Sequence, residues 1–191
     1  MVGGPTFTSR SLTAAAGAVL AVLLGLVAPA PAEPVAPEPP RSLRLPSGRV
    51  VPVHAVSTGR DGQLDVPDDP RHAGWWRGGS RVGDPSGKTL LAAHVDSLRQ
   101  GLGPFAELYD ARPGLRLELR SAGLRQEFRV RSVRLIPRQS LTAHPDLYSP
   151  GGPRRLVLVT CAPPYDPAHG GYQSLVVLVA DPRGPATPGP G

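Results

Sequence analysis

Apolar and polar positions along much of the chain follow the two-residue period of half-buried strands. Arg49–Val56 (RVVPVHAV) and Arg125–Ile136 (RQEFRVRSVRLI) are alternating or β-branched runs, and Leu115–Arg120 (LRLELR) alternates strictly. Thr89–Ala93, Leu156–Thr160 and Leu175–Ala180 are instead almost continuously apolar, which predicts core strands covered on both faces. Turn signals separate these runs at Thr58–Gly62, Pro67–Pro70, Gly83–Gly87, Arg112–Gly114, Ser121–Gly123 and Ser149–Pro153. Only two helical pieces fit between them, one near Gly103–Leu108 and a turn around Ser140–Tyr148. The pattern predicts an all-β barrel with short helices.

The two ends read differently. Arg10 is the only charge in the first 32 residues, and Ser11–Val27 is an unbroken run of apolar and small residues. Its length approaches the ~20 residues that cross a bilayer, while Ala28-Pro29-Ala30 has the small-x-small form of a cleavage site, so an anchor and an export signal both stay open. With Arg10 inside, the rest of the chain faces outward. From Ala28 to Pro40, APAPAEPVAPEPP reads as an extended polyproline spacer, and Arg183–Gly191 (RGPATPGPG) reads as non-globular. The expected organisation is therefore a signal or anchor over residues 1–32, a Pro-rich linker over 33–41, a barrel domain over 42–182 and a disordered tail over 183–191. The protein should be extracytoplasmic, either secreted or held at the membrane by its N-terminal segment.

Composition narrows the function. The 23 glycines and 25 prolines in 191 residues suit short strands and many turns. The net charge of +6 comes from arginines scattered along the chain rather than clustered, which argues against a nucleic-acid partner. A single cysteine, Cys161, rules out an internal disulfide framework, and with dispersed histidines it offers no recurring metal-ligand spacing.

That cysteine ends an apolar strand and is followed by Ala162-Pro163-Pro164-Tyr165-Asp166-Pro167, which cannot continue a central strand. The thiol is thus placed where a rigid strand opens into a loop, which suits a nucleophile; a buried, space-filling cysteine is the other reading of the same position. Of the five histidines only His94 stands in a matching place, after Thr89–Ala93 and before a Gly-containing loop. An imidazole beside a thiol can assist thiolate formation and protonate a leaving amine.

Thr89–Ser97 (TLLAAHVDS) and Val157–Cys161 (VLVTC) resemble the two signature segments of the sortases, cell-surface cysteine transpeptidases. The second matches the TLxTC signature at Leu158, Thr160 and Cys161. Further stretches resemble the actinobacterial class E/F branch: Leu64-Asp65-Val66-Pro67 followed by Gly74-Trp75-Trp76, then Gly103-Pro104-Phe105, Arg112-Pro113-Gly114 and Pro164-Tyr165-Asp166-Pro167. The likeness spans about Leu43 to Asp181. It implies a closed eight-stranded sortase β-barrel that needs no metal or organic cofactor. It also implies that Cys161 is the nucleophile, His94 the general acid and base, and the substrate an LPxTG-like or LAxTG-like sorting signal. The acyl group would pass to an amine of a peptidoglycan precursor or a pilin lysine.

One departure stands out. The family's catalytic arginine follows a tyrosine on the strand after the cysteine loop, and the corresponding segment here is Tyr172-Gln173-Ser174-Leu175. Three readings follow: Gln173 acts as a neutral oxyanion donor, an arginine from elsewhere (Arg134, Arg138, Arg154 or Arg155) enters the site, or the chain is a catalytically impaired surface module that binds sorting signals. Thr160, Ala93 and Asp96 complete the expected site as substrate-binding residues. Asp96, two residues after His94, is a candidate to orient the imidazole or to cap the loop.

Overall fold

The computed structural model describes residues 1–4, 35–60 and 63–189, with backbone alone for 140–142. The segment expected to be a signal or anchor lies outside the described residues. Among the described residues no helix is long and apolar enough to cross a membrane. The chain divides into two units, Met1–Glu33 and Pro34–Gly191, and every described strand lies in the second.

In chain order the strands are β1 (Ser42–Arg44), β2 (Val50–Val56), β3 (Ala73–Trp76), β4 (Lys88–Ala92), β5 (Asp96–Ser97), β6 (Gly101–Leu102), β7 (Arg116–Arg120), β8 (Leu124–Pro137), β9 (Arg155–Asp166), β10 (Gly171–Pro182) and β11 (Thr187–Pro188). Eight of them form a ring in the order β10-β9-β4-β3-β2-β1-β7-β8, closed by antiparallel pairing of β8 with β10. This is the predicted closed eight-stranded barrel. The pairs β2–β3 and β4–β9 are parallel, β11 adds to one end of β8, and β5 and β6 make a separate hairpin. Short 3₁₀ turns occupy Pro104–Tyr109, Arg138–Ala143 and Pro145–Leu147, at the two places expected to be helical.

The alternation of β8 explains its position. Leu124, Gln126, Phe128 and Val130 point inward and are buried, while Arg125, Glu127, Arg129 and Arg131 face out. β9 and β10 are apolar on both faces because they separate two cores. Leu156, Leu158 and Ala162 join the barrel interior with Val176, Leu178 and Ala180. Val157, Val159, Leu175 and Val177 face a second cluster outside the barrel, with Leu90, Ile136 and Leu147, against which Trp76 and Tyr148 pack. Trp75, by contrast, is buried in the barrel interior.

Three expectations are corrected. β9 does not end at Cys161 but runs through Pro163 and Pro164 to Asp166. The prolines are tolerated because β4, the parallel neighbour of β9, stops at Ala92, so β9 becomes an edge strand on that side just where its amides lose their partners. Nor is the whole Pro-rich stretch a free spacer. Glu38 pairs with Val82 through both backbone bonds, its carboxylate accepts from the Gly123 amide at 2.8 Å, and the Arg41 amide donates to the Arg120 carbonyl. The tail expected to be disordered contributes β11, which pairs Thr187 with Arg125, and Ala186 packs on the interior cluster.

Candidate active site

The β4–β9 register builds the site. Ala92 lies opposite Val159 in a parallel pair, the Ala93 amide donates to the Val159 carbonyl at 3.2 Å, and the Thr160 hydroxyl donates to the Ala93 carbonyl at 2.8 Å. Two residues past the end of β4, His94 lines the same cleft as Cys161, and Leu90, Val159 and Leu175 of the outer cluster line it too, so both residues open on the outer face. The two side chains open into a cleft of about 610 Å³ lined by Ala93, His94, Thr160, Cys161, Arg138 and Leu64, among others. The remaining histidines are elsewhere: His54 and His72 have ring centres 4.8 Å apart, His169 bonds Asp166, and His144 precedes the 145–147 turn.

Of the other predicted site residues, Thr160 and Ala93 line the cleft and tie the two strand ends together. Thr160 is buried and points away from the Cys161 face, so its hydroxyl fixes the register rather than standing free. Asp96 does not line the cleft. It sits on the β5–β6 hairpin and accepts a hydrogen bond from the Tyr172 hydroxyl at 2.8 Å, which pushes that phenol up to about 12. Gln173 falls at an irregularity where β9 and β10 lose register between Tyr172 and Ser174, so two β9 residues, Pro163 and Pro164, oppose it alone. Its amide Nε2 donates to the His169 carbonyl at 3.1 Å and the Gly171 carbonyl at 2.6 Å, and it is not among the cleft residues.

Sequence reasoning missed Tyr109. Its hydroxyl donates to the Cys161 carbonyl at 2.7 Å across 52 residues of chain, holding the peptide of the thiol-bearing residue from the end of the 104–109 turn. No local pattern marks such a contact. Among the described residues no group of three or more His, Cys, Asp or Glu side chains gathers as metal ligands would.

Burial pushes the Cys161 thiol above its ordinary value; Arg138 opposes the rise and Asp96 adds to it. Native alkylation by neutral iodoacetamide should therefore reach half its maximal rate above the ~8.5 of an unhindered cysteine. Asp96→Asn should move that midpoint down by removing a negative charge. A midpoint at or below the ordinary value in the wild type would contradict the burial seen here.

A thiol within β9 and an imidazole just past the end of β4, open to one cleft of a closed eight-stranded barrel, make the architecture of a cysteine-dependent enzyme. The chain belongs to the sortase family: the family model described as the Sortase domain matches residues 44–183. Among solved structures it is similar to sortase E1 from Streptomyces coelicolor with a tripeptide in its active site, with a TM-score of 0.59 at 15% identity over 80% of this chain and 91% of that one. Sortase A of Listeria monocytogenes gives 0.57 at 16% identity over 80% and 91%. Sortase C-1 of Actinomyces oris gives 0.57 at 17% over 75% and 73%. These likenesses show the fold. No curated protein sequence matches the chain.

Proposed function

We propose that the protein is an extracytoplasmic cysteine transpeptidase that cleaves an LPxTG-like or LAxTG-like sorting signal and transfers it to an amine. The observation that carries this reading is the shared outer face of His94 and Cys161 at one open cleft. The sulfur of ionised Cys161 adds to the threonine carbonyl carbon, and the carbonyl electron pair moves onto oxygen. When the oxyanion collapses, the C–N bond to glycine breaks and the departing nitrogen takes a proton from the His94 imidazolium. The thioester is then attacked by an amine whose proton returns to His94, and the thiolate leaves.

The E/F subtype, the membrane attachment through the N-terminal segment, and a peptidoglycan precursor or pilin lysine as acceptor belong to this same reading. The tripeptide in the Streptomyces coelicolor structure supports a peptide as the occupant of the cleft. A second reading, a surface module that binds sorting signals without turning them over, draws on one observation: Gln173 stands where the family's arginine is expected.

Mass spectrometry of the full chain after incubation with LPxTG and LAxTG peptides separates the two. A peptide-sized adduct on Cys161, converted to a hydroxamate by hydroxylamine, is the expected result. A folded protein whose thiol alkylates but which takes up neither peptide would favour the binding module.

A further inference from the structure

The transferase reading leaves one gap, a positive charge to face the oxyanion. Gln173 lacks the means to fill it even as a neutral donor. A side-chain amide has two N–H donors, and both of those on Gln173 are engaged by backbone carbonyls. The arginines that sequence offers in its place are mostly committed elsewhere. Arg154 is buried in the barrel, bonded to Thr89 and Gln126 with its guanidinium 5.4 Å from the Phe128 ring centre. Arg155 pairs with Asp181, and Arg134 lines a different cleft, 3.9 Å from Asp146.

Arg138 remains. Ile136, Leu175 and Cys161 lie in a row across β8, β10 and β9 on the outer face, and Arg138 follows Ile136 by two residues toward the site end. It lines the cleft together with His94 and Cys161. Its Nη1 donates to the Gly170 carbonyl at 2.7 Å, which commits one of five guanidinium donors, and among the described residues no carboxylate pairs with it. Gly170 and Gly171 have φ of 80° and 98°, a left-handed pair that non-glycine residues resist. Through that turn, three successive loop carbonyls, those of His169, Gly170 and Gly171, receive Gln173 and Arg138. The loop thus takes up the glutamine amide and braces the arginine.

We propose that Arg138, the first residue after β8, supplies the positive charge that faces the oxyanion in this enzyme, in place of a residue on β10; this rests on the transferase reading above. Its guanidinium stabilises the negative charge on the threonine carbonyl oxygen while the S–C bond exists and the C–N bond is breaking. It exchanges no proton, since His94 handles both transfers.

The test compares the full chain with Arg138→Gln, Arg138→Lys, Gln173→Ala and, as a charge control four residues earlier on β8, Arg134→Gln. Two rates are read: peptide turnover, and alkylation of Cys161 by anionic iodoacetate relative to neutral iodoacetamide. Arg138→Gln should lower kcat by ~10²–10³, the typical effect of losing one oxyanion donor, and lower the iodoacetate-to-iodoacetamide ratio severalfold. Arg138→Lys should keep that ratio but recover only part of the turnover, because a point charge replaces a planar fork. Gln173→Ala should cost at least about tenfold less than Arg138→Gln, and Arg134→Gln should leave both readings unchanged.

The proposal is overturned if folded Arg138→Gln, checked by its melting curve, turns over within about threefold of wild type, or if Gln173→Ala is the more damaging change. If the wild type cleaves no peptide, the transferase reading fails by itself. The alkylation ratio then decides Arg138: a drop in Arg138→Gln upholds its charge at the thiol, and an unchanged ratio removes it.

Discussion

Cys161→Ala is expected to abolish both the peptide adduct and the turnover, leaving only the background reaction. His94→Ala should slow turnover by ~10²–10⁴, the range for losing a positioned proton donor and acceptor, while its Cys161 still alkylates. The two losses should not add. The residues line one cleft, and groups that act as a unit give a double variant no worse than the more damaging single one. Steady-state kinetics with intact-mass analysis checks this. Turnover surviving in Cys161→Ala would take the thiol out of the mechanism. A His94→Ala rate within about threefold of wild type would do the same for the imidazole. The half-buried sulfur and the exposed imidazole suit the parts proposed for them: the Cys161 peptide is held by Tyr109 and the strand, and the His94 ring is open to solvent at the same cleft.

Most of the barrel is legible in the sequence because its longer strands carry their own signal. β8 alternates from Leu124 to Arg131, before a register shift against β10 changes its phase, and β4, β9 and β10 are apolar on both sides because each separates two cores. Ser42–Arg44 and Ala73–Trp76 are too short for a period to emerge, and their strand character comes from partners distant in sequence. The prolines after Cys161 mislead because proline is unfavourable only where an amide is needed, and β4 has already ended there. His94 and Cys161 are legible as residues that close apolar runs, and the parallel pairing of β4 with β9 that brings those runs to one cleft is a property of the sheet. Gln173 marks the limit of such reading. By simple alternation it shares the outer face with Leu175, and only the irregularity opposite Pro163 and Pro164, with the loop carbonyls beyond it, turns its amide away from the cleft.

Phe128→Ala is expected to destabilise the fold by about 3–5 kcal/mol without altering the site. The ring is fully buried on the inner face of β8, among the largest interior side chains, and lies beneath the Arg154 guanidinium. Truncation leaves a cavity that the closed ring of strands cannot collapse to fill, since each neighbour is fixed by ladder bonds on both sides. It also strips the apolar partner from a cation that burial already holds down at about 10. Phe128→Leu, keeping much of the volume, should cost less. Urea unfolding of the three proteins measures the difference, and a loss under about 1 kcal/mol for Phe128→Ala would mean that the interior repacks. The site should not notice the change. Phe128 lies ten residues before Arg138, about 30 Å at the usual rise per residue, and faces the barrel interior, whereas beyond the register shift Ile136 and the cleft lie on the outer face. Cys161 alkylation in native buffer should therefore match wild type. Stability resides in the inner face of the barrel strands, and the chemistry proposed here in the outer face at one end, where β4 stops and β9 continues with β10 as its one partner.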